Sequence, residues 1–198
     1  MLKDRFFYPL AALIAAGMVI FAMSFAKNTT LSNCEIWEDG YVMSGEDLTR
    51  LAVQPGTQAE FMASSGGQPA FARLTSTVAR ASVHPKPGIF APLGPEYERA
   101  FATRRLKLTI TARSSAINGL DHFDMAYFSD GSGDTEWIPK PLTADWEEHS
   151  FQFRPGALSE RRGLDHFSMW PGETAELLTM DVREMRVDVL DAPSCQTK

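Results

Sequence analysis

Aromatic rings and acidic side chains lie close together between residues 125 and 137. Tyr127 and Trp137 flank a run of turn-forming residues that carries Asp130 and Asp134, and Glu136 precedes Trp137. A flat ring packs against the apolar face of a pyranose, and carboxylates accept hydrogen bonds from its hydroxyl groups. The alternative is that the rings belong to a core and that the acids only solubilise a turn. The residue types alone leave both interpretations open.

A further aromatic candidate, Tyr97, lies in residues 85–99, a stretch with four prolines and two glycines. Proline in a central strand would remove a hydrogen bond of the ladder, so the stretch predicts a loop or a strand at a sheet edge. Long loops often carry binding residues. We therefore add Tyr97 and Phe90, which both lie in this stretch, to the candidates for exposed, ligand-binding rings.

The elements that must position these residues have the period of strands. Polar and apolar residues alternate from Leu106 to Arg113 and from Trp146 to Phe153, which indicates strands with one buried face. The run from Leu177 to Leu190 changes parity near Arg183 and Glu184, which predicts a β-bulge there. The chain is therefore expected to be an all-β, antiparallel protein.

The charge of the chain excludes one class of partner. The net charge is −6, and residues 28–198 alone carry 16 positive and 24 negative side chains, a net of −8. Nucleic acids require a basic surface. We therefore expect no nucleic-acid binding.

The amino-terminal segment predicts a membrane anchor. Residues 6–26 contain no charged side chain, a length that spans a bilayer as a helix, and Lys3 and Arg5 precede them. The prediction is a cytoplasmic stub (1–5), a signal-anchor helix (6–26), a linker (27–34) and a periplasmic or extracellular β-sandwich (35–195). A signal peptide cleaved after residues 24–26 is the alternative, and it exports the domain equally well.

The two cysteines support export. Cys34 and Cys195 lie near the two ends of the predicted domain and form no metal-binding or Cys-x-x-Cys motif. In an oxidising compartment they predict one disulfide between the first and last strands. Two unpaired buried thiols are the alternative.

A short internal echo relates residues 119–125 (GLDHFDM) to residues 163–169 (GLDHFSM). One interpretation brings the two Asp-His pairs together as ligands. The other is that both segments are the same turn leading into a strand, with Phe and Met pointing inward, and we favour this second interpretation.

The layout of the chain resembles the galactose-binding-domain-like β-sandwich, the jelly roll of many carbohydrate-binding modules. The resemblance rests on four segments: LKLTITARS (106–114), FDMAYF (123–128), PLTADWEEHSFQFRP (141–155) and SMWPGETAELLTMDVREMRVDVL (168–190). It implies a jelly roll with carbohydrate as ligand, and this fold often carries a structural calcium, for which Asp130 and Asp134 offer oxygen ligands. The spacing is not that of an EF-hand.

No enzyme motif supports catalysis. The sequence has no G-x-S-x-G and no H-E-x-x-H, and the spacing of carboxylates across a cleft cannot be read from it. We expect non-catalytic recognition of a cell-envelope or extracellular glycan. The alternatives are a subunit that docks a protein partner in envelope assembly or polysaccharide export, and a periplasmic glycan hydrolase or lyase.

Overall fold

The structure, a computed structural model, describes residues 13–18, 31–82, 87–129, 133–158, 163–172 and 177–195. The chain divides into two compact units, Met1–Leu31 and Ser32–Lys198. In the first unit, residues 13–18 are helical. Over the described ranges, no helix is long and apolar enough to cross a membrane. The predicted anchor (6–26) lies mostly outside these ranges and stays a prediction.

The described part of residues 32–198 forms an all-β, antiparallel sandwich, as predicted. In the described part of this unit, eleven strands accompany two α-helices and two short 3-10 helices, and every strand pairing is antiparallel. The helices are α1 (Asn33–Asp39), α2 (Pro95–Phe101) and the 3-10 turns Gly45–Arg50 and Arg80–Ser82. The strands are β1 (Tyr41–Ser44), β2 (Ala52–Val53), β3 (Thr57–Met62), β4 (Phe71–Ser76), β5 (Ile89–Leu93), β6 (Leu106–Ser114), β7 (His122–Phe128), β8 (Ile138–Pro141), β9 (Glu147–Phe153), β10 (Asp165–Trp170) and β11 (Thr179–Val189).

Two sheets enclose one core. The six-stranded sheet has the order β3-β4-β11-β6-β9, with β1 also paired to β11, and the five-stranded sheet has the order β2-β5-β10-β7-β8. Apolar side chains from the inner faces of both sheets meet between them. Each strand buries alternate residues against this core, so its remaining side chains point to the outer face of its sheet.

The alternation of residue types along β6 predicts which of its side chains are buried in the core. Leu106, Leu108 and Ile110 are fully buried, as the alternation predicts. The expectation that the other side of β6 faces solvent is wrong at its centre, since Thr109 and Thr111 are also buried. β6 lies between β9 and β11, so both of its edges are paired, and its short threonine side chains lie between residues of two neighbouring strands.

The predicted bulge in the last strand is confirmed. The register between β11 and β6 shifts between Val182 and Glu184. Before the shift, β11 pairs with β4, and from Glu184 onward it pairs with β1. The bulge therefore lies where two strands share one edge of β11, and it leaves Arg183 outside the regular ladder.

The predicted disulfide is also confirmed. Cys34 and Cys195 are bonded, with their Cα atoms 5.7 Å apart. Cys34 lies in the first turn of α1 rather than in a strand, because Ser32 and Glu35 form a capping box that starts a helix. The two ends of the sandwich are therefore neighbours.

The described part of the proline-rich stretch, residues 87–99, is more regular than its composition predicts. It contains β5 and the start of α2, and β5 is an interior strand of the five-stranded sheet. Proline is tolerated there because β2 pairs only with Ile89 and Phe90. At Pro92 the strand has no described ladder partner on that side, so no hydrogen bond is lost.

The structure agrees with the second interpretation of the internal echo, in which each copy is a turn that leads into a strand. Its two copies lead into β7 and β10, which are neighbours in the five-stranded sheet. Phe123, Met125, Phe167 and Met169 are all fully buried. The two Asp-His pairs differ in environment, and they are not brought together as one ligand set.

Candidate functional site

The outer face of the five-stranded sheet carries an unusual set of side chains. Alternate residues of β5, β7 and β10 point to this face, and the strand registers place Trp170 beside Asp124, Ser168 beside Ala126 and Phe90, and His166 beside Phe128. Trp137 and Arg80 pack onto the same residues. We call this set the five-stranded face: Phe90, Asp124, Ala126, Phe128, His166, Ser168, Trp170, Trp137 and Arg80.

Three aromatic rings form its centre. The ring of Trp137 is half-buried and meets Phe128 edge-on, with centroids 5.2 Å apart and planes at 74°. It also meets Trp170 edge-on at 6.3 Å and 78°. Such edge-to-face pairs are favourable beyond the area that they bury. They fix the orientation of the Trp137 ring although it precedes β8 rather than lying in a strand.

An ion pair lies beside these rings. Asp124 is buried, and its Oδ2 lies 3.1 Å from Nε of Arg80, whose side chain is 30% exposed. The guanidinium carbon of Arg80 is 5.8 Å from the centroid of Trp137. A buried carboxylate requires such a partner. The pair therefore holds a cation against an aromatic ring at the surface.

Two buried hydrogen-bonding groups lie at the base of the five-stranded face. Ser168 Oγ and Trp170 Nε1 are both buried and have no hydrogen-bond partner in the part of the chain that the structure describes. Gly88 lies directly over the indole of Trp170, since a Cβ there would come within 2.8 Å of Trp170 Cε3. Buried polar groups without partners are rare in folded proteins, so each calls for an explanation.

A second ring pair flanks the first. Phe90 and His166 are half-buried and meet edge-on, with centroids 4.6 Å apart. Because Phe90 is in register with Ser168, this pair continues the row of rings across β5 and β10. The face thus presents partly exposed rings along several strands, with Arg80 beside them.

The predicted acidic loop lies next to this face. Trp137 belongs to the face, whereas Asp134 and Glu136 are exposed. Asp134 Oδ1 accepts a hydrogen bond from the backbone N–H of Ser129 at 2.8 Å, so Asp134 caps the turn. Asp130 lies outside the described residues. The structure therefore does not place Asp130 or Glu136 against a ligand, and their roles remain predictions.

The calcium site also stays a prediction. In the described ranges, no group of three or more His, Cys, Asp or Glu side chains is arranged to hold a metal ion. Asp134 is in one of those ranges and Asp130 is not.

Tyr127 is a correction to the predicted set of exposed rings. Its side chain is fully buried, its ring lies 5.4 Å from that of Phe153, and its hydroxyl donates to Asp165 Oδ2. Tyr127 directly precedes Phe128 in β7, so the two point to opposite faces of the sheet. Burial raises the pKa of Tyr127 well above its ordinary value. A ring in this position cannot stack on a ligand at the surface.

Tyr97 lies in a different part of the domain from Trp137. It belongs to α2, and its ring contacts Tyr41 edge-on at 5.1 Å and Phe101 at 5.6 Å. Partial burial raises the pKa of Tyr97. The rings of Tyr97 and Trp137 share no contact in the described structure, so these two sequence-predicted candidates do not form one site.

Sequence reasoning missed most of the five-stranded face. Trp170, Phe128, Arg80 and Asp124 were not candidates. The available signal was that β7 (HFDMAYF) is apolar at both parities, which indicates a strand covered on both sides. An Asp within such a strand needs a cationic partner, and Arg80 provides it.

The buried acids do not form an open catalytic pair. Among the described residues, the buried carboxylates are Glu98, Asp124, Asp165 and Asp181. Asp124 pairs with Arg80, and Asp181 pairs with two arginines. Asp165 accepts from Tyr127, and its backbone N–H donates to Glu98 Oε1 at 3.1 Å. Each of these four acids thus has at least one hydrogen-bonding or ion-pairing partner within the protein.

The fold is similar to that of carbohydrate-binding modules. The C-terminal family 22 carbohydrate-binding module of Clostridium thermocellum Xyn10B matches with a TM-score of 0.53 and 14% identity, over 76% of this chain and 92% of that one. The CBM22-2 xylan-binding domain of Paenibacillus barcinonensis Xyn10C matches with a TM-score of 0.53 and 10% identity, over 75% and 98%. The CBM22 tandem of the same protein matches with a TM-score of 0.52 and 14% identity, over 78% of this chain and 46% of the tandem.

No protein-family model matches the chain, and no curated protein matches its sequence. The structural matches establish the β-sandwich fold of carbohydrate-binding modules. At such low identity they show the fold alone.

Proposed function

We propose that the protein recognises a glycan without catalysis and that the five-stranded face is its binding surface. The observation that carries this proposal is the row of half-buried rings, Trp137, Phe90 and His166, on the outer face of one sheet. The similar domain from Paenibacillus barcinonensis is described as xylan-binding. That description supports a saccharide as the class of ligand, and it does not identify the sugar.

The side chains of this face suit a saccharide. Rings that stand partly exposed contact the C–H groups of a pyranose, while Arg80 donates hydrogen bonds to ring or hydroxyl oxygens. The edge-to-face contacts of Trp137 orient it before a ligand arrives, which lowers the entropic cost of binding. Two of the four buried acids, Asp124 and Asp181, are paired with arginines, which favours binding over bond cleavage.

A glycan array probed with the purified protein, with xylan included, tests this proposal. Trp137→Ala and Phe90→Ala each remove one ring of the face, and we expect each to weaken saturable binding at least about tenfold, or about 1.4 kcal/mol. Tyr97→Ala is the matched control, because its half-buried ring lies in α2, and binding should be retained. Thermal denaturation of each variant shows whether the fold is kept.

Two outcomes would reject the proposal. If no glycan binds a folded protein, a subunit that docks a protein partner becomes the better interpretation. If Tyr97→Ala abolishes binding and Trp137→Ala does not, the saccharide site lies elsewhere than the five-stranded face.

We also propose that residues 6–26 anchor the domain to a membrane, with the sandwich on the exported side. The support is the uncharged run of 21 residues and the basic residues that precede it. Carbonate extraction of membranes from cells that express the full chain tests this. Retention in the membrane pellet is expected, and complete release of a shortened chain would favour a cleaved signal peptide.

A further inference from the structure

The outer face of the six-stranded sheet carries a second group of aromatic and charged residues, none of which belongs to the five-stranded face. Trp146 precedes β9, and Phe71, Arg73, Arg113, Asp181 and Arg183 belong to β4, β6 and β11. We call these six residues the Trp146 cluster. The predicted site does not include any of them.

Asp181 is the fixed centre of this cluster. Its side chain is fully buried, and Arg73 donates to it from Nε at 2.9 Å and from Nη2 at 3.3 Å. Arg113 lies 3.1 Å from Asp181 Oδ2, and Ser115 Oγ donates to Oδ1 at 2.6 Å. This hydrogen bonding raises the pKa of Arg73. One carboxylate on β11 therefore holds two guanidinium groups, one from each of the strands β4 and β6 that flank it.

Trp146 brings in a third guanidinium. The Cζ atoms of Arg113 and Arg183 lie 4.6 Å and 5.2 Å from the centroid of the Trp146 ring. Phe71 meets the same ring edge-on at 6.0 Å. A guanidinium packed against an aromatic ring loses little of its hydrogen-bonding capacity, because its N–H groups lie in its own plane.

Arg183 differs from Arg73 and Arg113 in that Asp181 does not bind it. It is the extra residue of the β11 bulge, and it has no hydrogen bond or ion pair within the described ranges. Bulges redirect a side chain away from the ladder and are frequent beside binding sites. Here the bulge directs a cation onto the half-exposed ring of Trp146, and its N–H donors remain available for a ligand.

The charge of the cluster selects an anion. Three guanidinium groups face one buried carboxylate, Asp181, and Glu60, which is in register with Arg73. The neighbouring row of the same face, at Thr111, carries Glu148 and Glu184. Glu148 and Glu184 repel the carboxylate of an anionic ligand, which is therefore directed away from them and towards Arg113 and Arg183. The chain as a whole is acidic, so this attraction is local.

We infer that the Trp146 cluster is a second saccharide site, which binds a uronic acid residue of an acidic glycan. The carboxylate of the sugar accepts hydrogen bonds from Arg183, whose planar fork matches its two oxygens, while Arg113, held through Nε and Nη2 on Asp181, adds positive charge beside it. The exposed edges of Trp146 and Phe71 contact the apolar side of the pyranose. This inference does not depend on the proposed role of the five-stranded face, because the two sites share no residue.

Isothermal titration of the full chain with trigalacturonic acid tests the inference, with neutral galactotriose as the uncharged comparison. The trigalacturonic acid should bind, the neutral sugar should bind at least about tenfold more weakly, and affinity should fall as salt is raised from 50 to 500 mM. Arg183→Gln should weaken binding about tenfold or more, because a hydrogen bond between two charged groups is lost. Arg183→Lys should restore only part of it.

Arg99→Gln is the control, since Arg99 is exposed in α2 and its loss should leave the affinity unchanged. Trp137→Ala should also leave it unchanged, which separates this site from the five-stranded face.

Three results would overturn the inference. The first is equal affinity for the neutral and the acidic sugar. The second is uronate binding that Arg183→Gln does not alter, which would place the ligand elsewhere. The third is equal binding of a poly-glutamate peptide that Arg183→Gln abolishes, which would make the cluster a site for acidic peptides.

Discussion

Removal of the Cys34–Cys195 disulfide should cost the protein a large part of its stability. The bond joins residues 161 positions apart in sequence, so almost the whole sandwich lies inside the closed loop. In the chain-entropy model a loop of that length restricts the unfolded chain by about 5 kcal/mol. Small and medium domains have a total free energy of unfolding of about 5–15 kcal/mol. We therefore expect a double Cys34→Ser, Cys195→Ser variant to be marginally stable.

The native ends should stay together in this variant, because other contacts also join them. Ile36 of α1 is buried in the core, and Trp37 Nε1 donates to the backbone oxygen of Ala100 at 2.7 Å. β1 and β11 are paired through Tyr41–Ser44. The loss should therefore appear in the unfolded state, as a larger dependence of stability on denaturant, rather than as a rearranged native fold.

Equilibrium unfolding in urea, followed by tryptophan fluorescence, measures the effect. Wild-type protein with and without a reductant provides a second comparison at constant sequence. A loss of less than about 1 kcal/mol in both comparisons would refute the reasoning, since it would mean that the closed loop does not limit the unfolded chain.

Two further predictions concern the scaffold. Gly40→Ala should destabilise the protein by more than about 2 kcal/mol, because φ is +69° and ψ is −156° and a Cβ would clash with the backbone oxygen of Val187. Gly45→Ala, at φ +58° with open space around it, should cost less. Equal losses of the two variants in urea unfolding would contradict this. Burial lowers the pKa of His149, so below about pH 6.5 the unfolded chain binds a proton that the native protein excludes. Wild-type protein should therefore lose stability relative to His149→Leu as pH falls from 7.5 to 5.5. A difference in stability that stays constant over this range would contradict the prediction.

The scaffold was predictable where one face of a strand meets the core. The alternation from Leu106 to Arg113 and the change of parity near Arg183 each report a local rule of side-chain direction, so the buried face of β6 and the bulge of β11 are confirmed. The rule did not predict the burial of Thr109 and Thr111, which depends on the neighbouring strands. The disulfide was predictable because a chain with two cysteines has one possible intramolecular pairing.

The candidate site was harder to predict because it depends on neighbours that the sequence separates. Tyr127 and Phe128 are adjacent aromatic residues, and only the orientation of β7 decides which of them lies in the core. Arg80 reaches Asp124 across 44 positions, and Trp170 meets Trp137 from a different strand. Proline composition was misleading at β5, since the shortness of β2 leaves Pro92 at a local edge.

The central claim is that a glycan binds the five-stranded face, and the indole N–H signals of the four tryptophans test it most directly. A heteronuclear NMR titration with a neutral glycan selected on the array, assigned with single Trp→Phe variants, reports each ring separately. We predict that the signals of Trp137 and Trp170 shift saturably while those of Trp37 and Trp146 stay in place. Saturable shifts at Trp37 or Trp146, with Trp137 and Trp170 unchanged, would contradict the claim.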